Sequence, residues 1–187
     1  MKQKGFAVLA LMLCLNFSAC SKPETSSGSA ANGSGSKSVS YSVLDAVSYD
    51  FPAGWKDKTY DEDNPYGLFC VSGDNYATTG VFLFDANDID EDVSPLAVFN
   101  LQIENLMEQI KKGKLISVKP AKKMRGKTIT EAVYSGIFGI SKYYYVFSLT
   151  EFSESDEFTI CAQVCAPSKF KKYEPIFEKI LESAALI

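Results

Sequence analysis

The chemistry open to this chain is narrowed first by a residue it lacks. There is no histidine among its 187 residues. Ser-His-Asp and Cys-His catalysis are therefore excluded, as are zinc sites that need a histidine ligand. Cysteine is the next candidate nucleophile. Cys161 and Cys165 stand four residues apart in FTICAQVCA, which reads as a strand. Four strand steps span roughly 13 Å, so within a straight strand these two cannot bond to each other. Cys70, in GLFCVSG, could pair with either and leave one thiol over, or all three could be buried as small apolar side chains. A nucleophilic Cys161 or Cys165 would need a base or a helix dipole beside it, and none is evident in the sequence.

Hard cations want alternating oxygen ligands, and the run Asp85-Ala86-Asn87-Asp88-Ile89-Asp90-Glu91-Asp92 offers some. An EF-hand is ruled out, because neither register has glycine at its sixth position. The twelfth position is Phe99 counted from Asp88, or Leu96 counted from Asp85, where a glutamate is required. A looser cation site stays open; the plainer reading is a solvated loop whose carboxylates favour the positive end of the following helix. No glycine-rich phosphate loop follows a strand, so no common nucleotide motif is present.

Two clusters could bind rather than react. Tyr143, Tyr144 and Tyr145 fall on an expected strand, so Tyr144 must face opposite to its neighbours, and rigid aromatic surface suits partners or sugars. The competing reading is cross-strand packing, with hydroxyls at the rim. Lys119 to Lys127, KPAKKMRGK, concentrates positive charge at an expected hairpin, with Lys122, Lys123 and Arg125 as candidates for an acidic partner or a phosphate-rich polymer. Such lysines also guard a sheet edge against unwanted pairing.

Strand signals dominate the elements that must position these groups. Residues 46–51, 66–71 and 79–84 are short strand candidates, the last two separated by the turn-rich SGDNYAT. From Ser94 the period changes, placing Leu96, Phe99, Ile103, Met107 and Ile110 on one helical stripe. Ser94 suits the N-cap, Pro95 the first helical position, and Gly113 a left-handed stop. Four more strands are expected near 115–122, 127–138, 142–152 and 157–166, joined by connectors short enough to force antiparallel neighbours. A second helix should bury Phe177, Ile180, Leu181 and Ala184, with Pro175 near its first turn. The expected fold class is α+β, an antiparallel sheet flanked by helices, in one domain over residues 39–187.

The N-terminal residues read as an address. Lys2 and Lys4 precede an apolar stretch from Phe6 to Leu15, too short to span a bilayer but suited to a signal peptide over residues 1–19. Asn16-Phe17-Ser18-Ala19-Cys20 resembles the lipobox of bacterial lipoproteins, which implies cleavage before Cys20 and acylation of its thiol, with Phe17 where leucine is usual. Residues 20–38 then form a flexible linker, because SKPETSSGSAANGSGSKS has no large apolar side chain to offset its ordering entropy. As a coil of about 18 residues it reaches on the order of 25 Å. Removing Lys2 and Lys4 moves the formal charge from −4 to −6, which argues against nucleic acid and against broad attraction to anionic lipid.

One stretch combines turn and core residues: YDFPAGWK, residues 49–56, which holds the only tryptophan. Pro52 biases Phe51 towards extended backbone and Gly54 permits a sharp turn, so Trp55 should fold back over a sheet edge. The corner Phe51-Pro52-Ala53-Gly54-Trp55, the Ser-Pro-led middle helix and the terminal phrase Phe177-Glu178-Lys179-Ile180-Leu181-Glu182-Ser183 together resemble the PsbP-like fold. That fold is shared by photosystem accessory proteins, a Ran-binding nuclear import factor and DcrB-like envelope lipoproteins. The resemblance implies an α/β/α sandwich and a binding or assembly role; the metal-binding histidines of some photosystem relatives have no counterpart here. The expectation is a lipid-anchored, non-enzymatic binding or accessory domain outside the cytoplasm, on the cell membrane or outer membrane. It would have no cofactor and an envelope protein, polymer or small ligand as partner. The alternatives are an envelope enzyme using carboxylate or Tyr/Lys chemistry, which requires a pocket with convergent polar groups, and a structural assembly component.

Overall fold

The computed structural model describes residues 38–59, 67–90 and 92–187. The expected signal peptide, Cys20 and all of the expected linker but Ser38 lie outside the described residues, as do Tyr66 and Glu91. In chain order the strands are β1 (Ser38–Val43), β2 (Val47–Pro52), β3 (Lys56–Asp57), β4 (Leu68–Val71) and β5 (Ala77–Asp85). Helix α1 (Pro95–Gln109) leads into β6 (Lys111–Met124), β7 (Lys127–Phe138), β8 (Ser141–Phe152) and β9 (Glu157–Cys165); then come α2 (Phe170–Ser183) and the short β10 (Ala185–Leu186).

Seven strands form one antiparallel sheet in the order β3-β4-β5-β9-β8-β7-β6. Both of its faces are covered. Phe82, Tyr145, Phe147, Leu149, Phe158 and Ile160 look one way and pack against Val98, Phe99, Ile103 and Leu106 of α1. Val81, Val133, Val146, Cys161 and Cys165 look the other way, onto α2 and a second sheet of order β1-β2-β10. The expected α+β sandwich is therefore present, with a layer that combines a helix and a small sheet. Burying four large side chains of α1 contributes roughly 1.5–3 kcal/mol each, well above the ~0.7 kcal/mol per residue that helix propensity spans.

Three details differ from the sequence reading. Helix α1 begins as expected, with Ser94 accepting a bond from the Ala97 N–H and Pro95 at its start, but it ends at Gln109. Ile110 turns its buried side chain into the core, so β6 starts at once and Gly113 lies within that strand rather than stopping the helix. A Cβ on Gly136 would collide with the buried Ile110 side chain and press on the Gly113 backbone, so the close helix-to-strand crossing favours glycine there; at Gly113 the obstacle is only the flexible end of Met107. The buried stripe is also rotated: Val98 and Leu106 face inward, while Leu96 is 47% exposed. Helix α2 starts five residues before Pro175, because Phe170 stacks on Tyr144 at 4.5 Å and holds the extra turn in place.

Candidate functional site

Two turns meet at one end of the large sheet. The first is the corner after β2, where Gly54 at φ 90° reverses the chain. Trp55 is buried there between Phe51 and Tyr173, with ring centroids at 5.4 and 6.3 Å. The second is the β4–β5 turn, residues 72–76. A Cβ on Gly73 would stand 2.7 Å from the Gly54 carbonyl oxygen, so the two turns touch backbone to backbone. The start of α2 closes the third side. Together Pro52, Trp55, Asp74, Lys172, Tyr173 and Ile176 wall a cleft of about 290 Å³.

Asp74 organises the polar wall. It accepts hydrogen bonds from the Ser72 hydroxyl at 2.9 Å, the Lys172 ammonium at 2.7 Å, the Tyr76 N–H at 3.2 Å and the Tyr173 hydroxyl. Partial burial works to raise its pKa, but the bonds from Lys172, Tyr173 and Ser72 outweigh it and hold the carboxyl well below the usual carboxylate range. The same contact raises the Lys172 pKa. Burial, then the hydrogen bond to Asp74, pushes the Tyr173 hydroxyl up. At neutral pH the cleft thus presents a fixed anion, a fixed cation and a neutral phenol beside apolar walls. Such groups can orient a ligand; a carboxylate already accepting four bonds is poorly placed to move a proton.

The tyrosine triplet is cross-strand packing. Tyr143 and Tyr145 are buried on the α1 side, while Tyr144, on the opposite face, lies partly buried under Phe170. As a surface for gripping ligands the triplet is withdrawn, because α1 covers one face of β8 and α2 the other. The basic hairpin is largely engaged internally. Lys122 pairs with Glu178 at 3.3 Å and with Glu182, Lys119 pairs with Glu131 at 3.3 Å, and Lys127 donates to the carbonyls of Glu182 and Ala184. Lys123 and Arg125 have no ion pair among the described residues.

The three thiols are unpaired and buried, and burial pushes Cys165 up to about 12 and Cys70 and Cys161 higher still, so none is a ready nucleophile. Glu131, raised by burial against the pull of Lys119, is a second perturbed carboxylate. It lies on β7, about four strands and on the order of 15–20 Å from the cleft, so it cannot act with Asp74. Ser94 caps α1, Asp85 accepts a bond from the Asn87 N–H at 2.8 Å, and no cluster able to hold a metal occurs among the described residues.

Sequence reasoning reached part of the cleft. Pro52 and Trp55 stood out, and residues 72–76 read as a turn. Lys172 and Tyr173 gave no signal, because they reach Asp74 across 98 and 99 residues of chain.

No protein-family model matches the sequence, and no curated protein does. Solved structures do match. Cyanobacterial PsbP (CyanoP) from Synechocystis sp. PCC 6803 aligns with a TM-score of 0.60 at 13% identity, covering 86% of this chain and 98% of that one. The Ran-binding protein MOG1P of Saccharomyces cerevisiae aligns at 0.58 and 11% identity, over 81% and 96% of the two chains. LpqN of Mycobacterium tuberculosis, described as involved in cell envelope biogenesis, aligns at 0.56 and 11%, over 75% and 82%. At these identities the likeness is one of fold, and the fold is PsbP-like.

Proposed function

We propose that this protein is a membrane-tethered, non-enzymatic binding or accessory domain that works outside the cytoplasm. The observation that carries the reading is the bonding of Asp74: four donors fix its charge, and the cleft it organises is built to hold a ligand rather than to transform one. Support from elsewhere is of two kinds. The lipobox-like Cys20 and its linker fit a lipid tether. Among proteins of similar fold, one is described as Ran-binding and another as involved in cell envelope biogenesis.

Trp55 makes the test direct, since it is the only tryptophan and lines the cleft. Envelope extracts fractionated into protein, polymer and small-molecule pools should contain one pool that saturably shifts Trp55 emission, and Asp74→Ala should abolish the shift. A protein whose emission no pool changes, and which retrieves nothing above background from native envelopes, would not be a binding domain of this kind. Turnover of any pool by the protein, lost in Asp74→Ala, would make it an enzyme instead.

A further inference from the structure

We infer that the end of the large sheet nearest the cleft is a docking face for an anionic lipid bilayer, with Ile140 as its apolar contact. The inference rests on the membrane-tether reading for its biological setting but on separate observations for its geometry.

Strand register places the relevant groups together. Lys111 pairs with Ile137 and Ile137 with Lys142, so the start of β6, the end of β7 and the start of β8 form one row. Lys114 lies one step inward, opposite Ser135. Beyond that row the β7–β8 hairpin turns at Gly139, φ 61°, and carries Ile140 at its tip. Ile140 is 102% exposed, a large aliphatic side chain with no cover from its own fold. Cys165 closes the same end of β9, opposite Tyr144, so the following turn and the first turn of α2 bring Lys169 and Lys171 there too. Lys169 lies over the exposed ring of Tyr76, 4.6 Å from its centroid. Lys111, Lys112, Lys114, Lys142 and Lys171 have no carboxylate partner among the described residues. The acids near this end include Asp74, already paired with Lys172, Glu108 and Glu174, one on each helix, and Asp50 and Asp57 on β2 and β3.

The other end of the sheet is richer in acids, although it also carries the β6–β7 hairpin with Lys122, Lys123, Arg125 and Lys127. Asp85 pairs with Glu157 in register, Glu151 lies at the end of β8, and Asp88, Asp90, Asp92, Glu154 and Asp156 lie in the connections around them. A formal charge of −4 for the chain therefore hides two unlike ends. The end that carries Ile140 holds the larger set of lysines without a carboxylate partner among the described residues, the kind of charge that anionic headgroups attract.

The path of the chain argues for the same occupant. Ser38, the first described residue, pairs with Pro52, which lines the cleft at the lysine-bearing end. The described chain thus begins at this end, where a tether from Cys20 would join it. An acyl tether would hold the lysines and Ile140 against the bilayer rather than away from it. A lipid chain and a basic patch acting together are the usual pair of signals for stable membrane association.

The test uses the mature chain purified from bacterial membranes and reconstituted into vesicles with or without anionic lipid. One preparation carries an environment-sensitive fluorophore at Ile140→Cys, another at Glu154→Cys on the opposite end; Cys20 is assayed by mass spectrometry in both. In anionic vesicles the probe at position 140 should shift to the blue and be quenched by lipid-borne quenchers, and the probe at 154 should not. The effect should be lost in high salt and in a Lys111→Glu/Lys112→Glu/Lys142→Glu variant. An acylated Cys20 with position 140 as exposed to water as position 154 would overturn the docking face and leave the tether intact. An unmodified Cys20 with position 140 still entering anionic vesicles would sustain the docking face and remove the tether. Neither acylation nor entry would remove both.

Discussion

Asp74 shows how a single residue can look ordinary in sequence and be central in the fold. Its pKa is held below the ordinary value, so its contribution to stability is complete above the normal carboxylate range, near pH 4, and is lost as the pH falls towards its depressed folded value. Asp74→Asn should cost roughly 1–2 kcal/mol at neutral pH, toward the lower figure because the site is partly screened by solvent. It should also flatten the acid limb of the stability profile, which urea unfolding followed from neutral to acid pH would record. An unchanged acid limb would mean that the four bonds are not maintained in solution. Nothing adjacent to Asp74 in sequence announces its partners: the turn residues Gly73, Asp74 and Asn75 read only as a turn, because Lys172 and Tyr173 arrive from α2. The cysteines are the converse case. Their spacing alone excluded a bond between Cys161 and Cys165, and Cys70 proved unpaired as well, buried two strands away from Cys161 in the sheet order.

Elements here are fixed to one another by charge as well as by packing. The β6–β7 hairpin grips the end of α2, and Lys127 is the pin, donating to the carbonyls of Glu182 and Ala184 where the helix leaves acceptors without an internal donor. Lys127→Met would keep the apolar stem and strip the donors. We expect a loss of about 2 kcal/mol in urea unfolding, because carbonyls would be left buried without a partner. A loss below about 0.5 kcal/mol would show that water replaces the ammonium freely. The free edge of β6 follows a different logic. Its lysines and three register shifts blunt an edge that still exposes Leu115, Ile116 and Val118, which is how natural sheets avoid pairing with their neighbours.

At the scale of the whole molecule, stability should be graded from the centre of the sheet outwards. Strands β8 and β9 have partners on both edges and cover on both faces, whereas β1 and β3 each have one partner and β3 is exposed. Amide hydrogen exchange should be slowest in β8 and β9 and fastest in β1 and β3. Protection in β6 equal to that in β9 would mean that a second chain covers the free edge. The same whole-molecule view shows what net charge averages over: strand register gathers Lys111, Lys142 and Lys169 at one end, and Asp85, Asp156 and Glu157 at the other beside the β6–β7 hairpin.

The sequence by itself determined the period of each long element, the cap of α1, the antiparallel order of the last four strands and the exclusion of histidine chemistry. These are local matters of side-chain spacing, connector length and composition, so they can be read along the chain. It also marked YDFPAGWK as a corner. Only the tertiary structure decided that this corner is one wall of a cleft, that Tyr143 and Tyr145 are core while Tyr144 lies partly buried under α2, and that Lys122 and Lys127 of the basic hairpin are spent on α2. It decided, too, that a small sheet joins α2 in one layer and that lysines distant in sequence share an end. Those outcomes depend on which strand lies beside which and which face a helix covers, and such long-range contacts leave no periodic trace in the order of residues.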